Sequence, residues 1–188
     1  MSWEIRELKP DLWPSLEKLF GPNGACAGCW CIWWRLEKAE HWPTVKGARA
    51  KQRMKALVKS GKAKGLIAFD RDQPVGWLAL GPRTEFSRLD RARSLACDDA
   101  QRVWSLPCFY VKSGYRGKGI AMALLNRAVE LLRAHGAKVL EGYPVSPPRG
   151  GRIPAAFAYT GTVAMFDAAG FKPAVKKDRG KRRVRIEL

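Results

Sequence analysis

The chain has 188 residues, of which 46% are apolar and 28% are charged, which is typical of one globular domain with a sizeable core. It has no apolar run long enough to cross a bilayer, and its first residues lack the apolar stretch of a secretion signal. Lysine and arginine number 35 against 17 acidic residues, so the formal net charge of +18 favours anionic partners. We therefore predict a single cytoplasmic domain over residues 1–188 with no membrane span.

The first half of the chain is predicted to contain one strand, two helices and a β-hairpin. Alternating residues at 3–8 indicate the strand, and a short helix follows before the turn at 21–24. Residues 49–60 place apolar side chains on one side of a basic helix. The apolar runs 64–70 and 74–80 flank a polar turn, as in a hairpin with one buried face.

Between these elements lies a segment dense in cysteine and tryptophan, residues 25–35. Cys26 and Cys29 have the Cys-x-x-Cys spacing of a zinc site, but no second pair follows at zinc-finger spacing. A thioredoxin-like redox role would need a strand-to-helix context that is missing. We predict no metal here, and we expect the side chains either to pack in the core or to wall an acceptor pocket; the tryptophans concerned are Trp30, Trp33 and Trp34.

A polar, turn-rich excursion over residues 81–99 leads into an apolar strand at 103–111. Long loops in compact domains often carry function, so Arg83, Glu85 and Arg91 are candidates to line the acceptor side of a site.

The motif that bears most directly on function follows this strand. Gly114, Gly117 and Gly119 punctuate residues 113–119, and apolar residues then recur at helical spacing until His135 and Gly136. Glycines allow a close backbone approach, so N–H groups at the start of the helix can converge on an anion that the helix dipole also favours. Arg116 and Lys118 add positive charge at the same place.

Two familiar nucleotide loops are excluded by spacing. A Walker loop needs a hydroxyl residue after its lysine, and Gly119 follows Lys118. A dinucleotide fingerprint starting at Gly117 needs a small residue at the position of Met122, and no early βαβ unit precedes it.

The C-terminal part is predicted to complete the sheet. Residues 138–144 form a strand that pairs in parallel with 103–111. A proline- and glycine-rich loop at 146–154 is expected near the ligand, followed by a helix at 157–169. Strands are expected at 171–175 and 183–188, joined by a basic turn at 176–181.

The pattern Arg116-x-x-Gly119-x-Ala121 after a strand ending at Val111, with the later pair Gly170-Phe171, resembles the acyl-CoA loop of the GNAT superfamily of acetyl-CoA-dependent N-acetyltransferases. The resemblance implies an α/β (α+β) fold. Its central sheet would be mixed, with an antiparallel N-terminal hairpin, a parallel central pair and flanking helices.

Carried over position by position, the resemblance implies acetyl-CoA as co-substrate. The loop would hold the pyrophosphate, and the end of the preceding strand would pair with pantetheine and polarise the thioester carbonyl. Phe166 stands where the family often has its leaving-group tyrosine, so we expect Phe166 to pack against the cofactor. The cofactor-binding residues so implied are Phe109, Tyr110, Val111, Arg116, Gly117, Lys118, Gly119, Ile120, Ala121 and Phe166.

The catalytic groups are less determined. Acetyl transfer to an amine needs a base, for which Glu141 and Glu85 are candidates, and an acid for the leaving thiolate. Tyr143 and Tyr159 could replace the missing tyrosine as that acid, although each of these four residues could instead be structural. A covalent acetyl-cysteine at Cys108 is the alternative to direct transfer, which is the superfamily's norm.

We predict an enzyme that moves an acetyl group from acetyl-CoA to a primary amine of a small molecule or peptide. Two alternatives remain: a basic nucleic-acid-binding protein, and a GNAT-like acyl-CoA-binding protein without catalysis. Nothing in the sequence specifies the oligomeric state, and a homodimer is compatible with it.

Overall fold

The computed structural model describes residues 3–146, 153–154, 156–174 and 182–188. In this part of the chain seven strands form one mixed sheet in the order β1-β2-β3-β4-β5-β7-β6. They are β1 (Glu4–Glu7), β2 (Lys64–Asp70), β3 (Gln73–Pro82), β4 (Val103–Val111), β5 (Val139–Gly142), β6 (Lys172–Pro173) and β7 (Val184–Glu187). The α-helices are α1 (Trp13–Phe20), α2 (Trp42–Val45), α3 (Ala48–Lys59), α4 (Ile120–Ala134) and α5 (Val163–Ala168).

The pairing of the strands confirms the predicted fold class. β1 to β4 are antiparallel neighbours, whereas β4 and β5 are parallel and are joined through α4. β7 then runs antiparallel to β5, and β6 runs antiparallel to β7. None of the helices in the described ranges has both the length and the apolar character needed to cross a bilayer.

The parallel pairing of β4 with β5 covers only part of β4. Val103 to Leu106 pair with Val139 to Gly142, and β4 then continues to Val111 beside β3 alone. At the same place β4 has one extra residue. Between the pairs Ala79–Cys108 and Gly81–Ser105 lie two residues of β4 but only one of β3. Such a bulge bends a strand and ends its pairing on one side. A cleft therefore opens between β4 and the chain that follows β5.

The sheet is covered on both faces because consecutive residues of a strand point to opposite sides. Leu66 and Ala68 of β2 belong to the core that includes the apolar side of α4. Ile67 and Phe69 belong to the core on the other face, with α1, α3 and residues of the cysteine–tryptophan segment. The fold thus has three layers, with the sheet in the middle.

The cysteine–tryptophan segment, residues 25–35, packs mainly in this second core. Trp30, Cys31 and Ile32 are buried, and the Trp30 ring lies 6.0 Å from that of Trp13. Trp30 and Cys31 adopt φ of 47° and 61°, a left-handed conformation that costs roughly 1–2 kcal/mol per residue. Burial of the two side chains offsets that cost. Trp33 is only half-buried and lies at the edge of a third, smaller core.

The excursion after β3 is a packed cap over this third core. It contains three short 3₁₀ turns, Arg83–Glu85, Ser87–Arg91 and Ala100–Arg102. Phe86, Leu89 and Leu95 are buried against Trp34 and Tyr143. Arg83, which we expected to line the acceptor side, is instead completely buried.

The region after β5 is less regular than its sequence suggests. A helix was expected over 157–169, but the structure has turns at 156–160 and begins α5 only at Val163. Gly161, at φ 84°, and the extended Thr162 separate the two parts, and the Thr162 side chain caps α5 at the Met165 N–H. The strand expected over 171–175 is limited to β6. The predicted loop at 146–154 and the basic turn at 176–181 fall largely or wholly outside the described residues.

A buried carboxylate holds the edge of the sheet together. Glu141 in β5 is fully buried, and its two oxygens accept hydrogen bonds from three guanidinium groups. Arg83 lies at 2.8 Å, Arg183 at 3.1 Å and Arg185 at 2.6 Å. The cluster thus connects β5, β7 and the excursion after β3.

Two of these arginines extend the cluster to the surface. Arg83 also bonds to Asp90 at 2.6 Å and to the Tyr143 hydroxyl at 2.7 Å. Arg185 makes a bidentate pair with Asp99, both distances being 2.8 Å. Hydrogen bonds from Arg185 lower the pKa of Asp99 to about 2. Two ion pairs, Arg83–Glu141 and Asp99–Arg185, therefore fix the position of the cap relative to the sheet.

We expect Glu141→Gln to lower the free energy of unfolding by about 3–5 kcal/mol, because it leaves three arginines around an uncharged amide in a buried site. Urea denaturation measures this. Glu187→Gln is the control: its side chain is exposed two pairs further along the same strands, and its effect should stay within about 0.5 kcal/mol. A loss below about 1 kcal/mol for Glu141→Gln would show that the cluster contributes little to the stability of the fold.

The Asp99 pair should appear in the acid unfolding curve. Because the folded-state pKa of Asp99 is depressed, its contribution is present above its unfolded pKa and is lost as pH falls from about 4 to about 2. Asp99→Asn should therefore flatten the pH dependence of stability in this window. Asp98→Asn, at the exposed neighbouring residue, should leave the curve unchanged.

Candidate active site

The glycine-rich loop between β4 and α4 has the conformation predicted from its sequence. Gly114, Gly117 and Gly119 have φ of 82°, 76° and 80°. A Cβ added at any of the three would meet no protein atom within 4 Å. The glycines are therefore required by backbone conformation, and the space above the loop is open for a ligand.

The N–H groups at this end of α4 are available to an anion. From Gly117 to Met122, no N–H group bonds to a backbone carbonyl within the described ranges, and the first one used again is that of Ala123, which donates to Gly119. The helix dipole adds partial positive charge at the same end. Open space, free donors and the dipole together make an anion site of the kind that holds phosphate groups.

Three side chains fix the loop. The Arg116 guanidinium bonds to the carbonyl of Val111, and the Tyr115 hydroxyl donates to Asp70 at the end of β2. Lys118 lies 5.0 Å from the centre of the Tyr115 ring. Arg116 and Lys118 are exposed, so their charges remain available to a bound anion.

Beside the loop, the far end of β4 presents backbone groups to the cleft. The Phe109 N–H points away from β3 and donates to the carbonyl of Tyr159 at 2.5 Å. Because backbone groups alternate along an antiparallel pair, those of Val111 also face the cleft and those of Tyr110 face β3. The Tyr110 side chain lies on the other face of the sheet, with its ring centre 5.8 Å from that of Phe20. Tyr110 therefore does not offer the cleft-facing contact that the sequence suggested.

Phe166 is also placed differently from the prediction. It is completely buried between Phe109 and Phe171, at ring distances of 6.0 and 5.0 Å. Its ring fills the space above Gly142, where an added Cβ would come within 2.2 Å of it. Phe166 is thus a core residue, and the expected contact with the cofactor does not fit its burial.

Neither Glu141 nor Tyr143 is accessible to a substrate. Glu141 is enclosed by the arginine cluster described above. The Tyr143 hydroxyl is bonded to Arg83 and, at 2.6 Å, to Ser105. Burial, followed by the charge of Glu141, raises the pKa of Tyr143 well above its ordinary value. Both residues therefore serve the structure, and this arrangement argues against their predicted roles as base and acid.

Glu85 remains partly accessible. Its side chain is 29% exposed and pairs with Arg35 at 2.9 Å. The two residues line a cavity of about 350 Å³ together with Glu37, Arg53, Leu57 and Lys62. The Arg35 guanidinium occupies this carboxylate, so a ligand would have to displace Arg35 before Glu85 could act as a base.

Tyr159 is the remaining candidate. Its ring lies 6.3 Å from that of Trp34, and its carbonyl accepts the Phe109 N–H. Burial is the largest cause that raises the pKa of its phenol, and the thiols of Cys108 and Cys29 add to the shift. Tyr159 therefore stays protonated at neutral pH, as a general acid must before it acts.

The cysteines form a contact that the sequence did not reveal. Cys31 of the cysteine–tryptophan segment meets Cys108 of β4, and the Trp77 indole N–H donates to the Cys31 sulfur at 3.4 Å. The hydrogen bond with Cys31 and burial raise the pKa of Cys108 well above its ordinary value. A protonated thiol is a poor nucleophile, which disfavours an acetyl-cysteine at Cys108. Burial also raises the pKa of Cys29 to about 11.

No three histidine, cysteine or acidic side chains come together as a metal site within the described ranges. Sequence reasoning missed the arginine cluster and the electrostatic effect of Arg88 on Tyr159. For the cluster a signal existed: Arg183 and Arg185 are two residues apart around the predicted last strand and so share one face.

Comparison with known proteins agrees with this geometry. Residues 24–145, more than half of the chain, match the model of the acetyltransferase (GNAT) family. A search of curated proteins found no match. Among solved structures, a GCN5-related N-acetyltransferase from Kribbella flavida superimposes with a TM-score of 0.59 at 17% identity, covering 99% of this chain and 98% of that one.

Two further structures are similar over the whole chain. An N-acetyltransferase from Staphylococcus aureus Mu50 has a TM-score of 0.56 at 16% identity, with 100% of this chain and 98% of that one covered. The PaiA N-acetyltransferase from Thermoplasma acidophilum, solved in complex with coenzyme A, has a TM-score of 0.51 at 15% identity over 100% of both chains. At such identities the likeness concerns the fold alone, whereas the family match rests on the sequence. The chain belongs to the GNAT family of acetyltransferases.

Proposed function

We propose that the protein transfers an acetyl group from acetyl-CoA directly to the primary amine of an acceptor. Membership of the family supports acetyl-CoA-dependent acetyl transfer in general. The observation that carries the finer proposal is the adjacency of the open loop at Gly117 to Met122 and the cleft-facing edge of β4. The loop would hold an anion, and the edge of β4 presents a backbone N–H donor where β4 diverges from β5.

The loop residues fit the pyrophosphate of acetyl-CoA. The N–H groups from Gly117 to Met122 would bond to phosphate oxygens, and Arg116 and Lys118 would add charge-assisted contacts, which are worth about 1.5–3 kcal/mol each where solvent is excluded. Acetyl-CoA, when bound, supplies the activated acetyl group. The chain itself supplies the orientation, because the loop lies at one end of the β4 edge.

The edge of β4 would orient the thioester. The backbone groups of Val111 suit an amide of pantetheine, and the Phe109 N–H suits the thioester carbonyl. A backbone donor aimed at a developing oxyanion lowers the barrier by about 3–4 kcal/mol in characterised enzymes. In the structure the Tyr159 carbonyl accepts this N–H, so the thioester carbonyl would replace it there.

Tyr159 is our candidate for the acid. The amine nitrogen attacks the carbonyl carbon, and the C–S bond then breaks as the CoA sulfur takes up a proton. The phenol of Tyr159 is protonated at neutral pH and can give that proton, while the amine loses one to a base or to water. Glu85 stays the candidate base, since it is the more accessible of the two predicted carboxylates.

An assay with acetyl-CoA and a panel of primary amines tests this proposal. Mass spectrometry should detect an acetylated product, and it avoids interference of the five cysteines with thiol reagents. Binding of acetyl-CoA without turnover of any amine, peptide or protein would favour the alternative of an acyl-CoA-binding protein without catalysis.

Nucleic-acid binding is a second candidate, and the exposed cations of α3 favour it. Arg49, Lys55 and Lys59 face solvent there. Other cations of this helix are engaged within the protein, since Lys51 pairs with Glu17 and Arg53 with Glu40. We therefore expect only salt-sensitive, non-specific affinity of about 10⁻⁴–10⁻⁶ M for duplex RNA or DNA at physiological salt. A nanomolar dissociation constant at about 0.2 M salt would reverse the order of the two candidates.

The loop generates a sharp prediction about ligand-induced stability. At about 100 times its dissociation constant, acetyl-CoA should stabilise the wild-type protein by about 2.7 kcal/mol. Gly119→Val should abolish this gain, because the new side chain enters the phosphate space. Gly136→Val is the matched control: Gly136 ends the same helix with φ 73° and equally open surroundings. Both variants carry backbone strain, but only Gly119→Val should lose the response to acetyl-CoA.

The acid can be tested in the same protein. Tyr159→Phe should lower kcat by about 100-fold or more while leaving the affinity for acetyl-CoA unchanged, since it removes only the hydroxyl group that would donate the proton. Phe166→Tyr adds a hydroxyl at the position typical of the family, but in a fully buried site, and should not raise the rate. Retention of kcat in Tyr159→Phe, or a rate gained in Phe166→Tyr, would assign the acid elsewhere.

A further inference from the structure

Arg88, in the excursion after β3, has no carboxylate partner among the residues that the structure describes. The Arg88 guanidinium lies flat over the Trp33 ring, 3.7 Å from its centre. No carboxylate or carbonyl within the described ranges accepts a hydrogen bond from it. Trp33 is held in turn by an edge contact with Trp42 at 5.3 Å. Among the described residues, the contact with the Trp33 ring is therefore what positions Arg88.

Three other arginines near Arg88 are engaged within the protein. Arg83 is buried against Glu141 and Asp90, and Arg35 bonds to Glu85. Arg91 donates to the carbonyl of Leu36. These contacts show that Arg83, Arg35 and Arg91 each stabilise the fold. They leave Arg88 unexplained, because a stacked guanidinium keeps its hydrogen-bonding edge free.

The location of Arg88 connects it to the reaction. Its charge acts on the Tyr159 phenol and lowers the pKa of that group, against the larger effect of burial. The carbonyl of Tyr159 is bonded to the Phe109 N–H, where the thioester carbonyl is expected. Trp33, Cys108 and Tyr159 also pack against one core. The Arg88–Trp33 pair and Tyr159 thus border the same core.

We propose that Arg88, stacked on Trp33, binds a carboxylate of the acceptor, so that the substrates are amines that also carry a carboxylate. The inference rests on the proposed acetyl transfer and narrows its acceptor. A planar guanidinium matches a carboxylate with two parallel hydrogen bonds. A phosphate dianion would call for a second cation, and Arg91 is turned to the Leu36 carbonyl. The net charge of +18 favours an acceptor that carries a negatively charged group over a polyamine.

The test compares each of three amino acids, phenylalanine, methionine and glutamate, with its α-amide as acceptor. The measure is the ratio of kcat/KM for acid over amide, in wild type and in Arg88→Ala. Because the free amine of an amide has a different pKa, the change of this ratio between the two proteins is decisive. We expect Arg88→Ala to lower the ratio by about 10- to 100-fold, the loss of a charge-assisted pair, and Arg88→Lys to retain part of it.

Arg93→Ala is the control for net charge, since Arg93 is exposed on the same segment, and its ratio should equal that of wild type. An unchanged ratio in Arg88→Ala, with turnover intact, overturns the inference and leaves the proposed function standing. A wild type that acetylates none of the amines counts against the proposed function instead.

In that event calorimetry still decides about Arg88. N-acetylphenylalanine and its amide are titrated into the CoA complexes of wild type and Arg88→Ala. Weaker binding of the acid alone in Arg88→Ala supports a carboxylate site. Equal binding to both proteins, or no binding to either, overturns it.

Discussion

The divergence of β4 from β5 is the constraint on which the site depends. Pro107 follows Leu106, the last residue paired with β5, and a proline cannot donate to a ladder. The bulge opposite Ala79 turns the strand at the same place. Beyond it, the backbone groups of Phe109 and Val111 must find partners other than a strand, because unpaired backbone groups are costly when buried. The cleft, its donors and the loop at its end all result from one interrupted pairing.

The charge of the protein is better explained by the structure than by its composition. Three arginines surround Glu141, and together they attach the cap of residues 81–102 to the sheet edge. Lysines of α3 lie over tryptophan rings, such as Lys51 over Trp30 at 5.1 Å. Part of the excess of cations thus stabilises the fold, because the stems and heads of these side chains cover apolar surface. The positive charge left for an external partner is therefore smaller than the net charge of +18 suggests.

The elements that depend on local pattern could be predicted from the sequence. The hairpin, β4, the loop glycines and α4 follow from periodicity and from glycine conformation, and the family resemblance then implied which anion the loop would bind. Side-chain roles could not be predicted in the same way. Glu141 and Tyr143 look like catalytic groups in sequence, yet partners more than 40 residues away along the chain enclose both. Phe166 is a core residue because Gly142 and Gly161 leave room for its ring, a three-dimensional fit that no local pattern encodes.

The hydrogen bond from Phe109 to the Tyr159 carbonyl has a consequence for the end of the catalytic cycle. In the proposed mechanism the acetyl carbonyl displaces that of Tyr159, so binding exchanges one hydrogen bond for another. Free CoA carries no acetyl carbonyl and therefore cannot accept a hydrogen bond from the Phe109 N–H. The Tyr159 carbonyl can then return to Phe109, which weakens the hold on the product relative to the substrate. In that mechanism, an intramolecular acceptor of this kind would make the site discriminate between acetyl-CoA and free CoA, and it would promote release of free CoA.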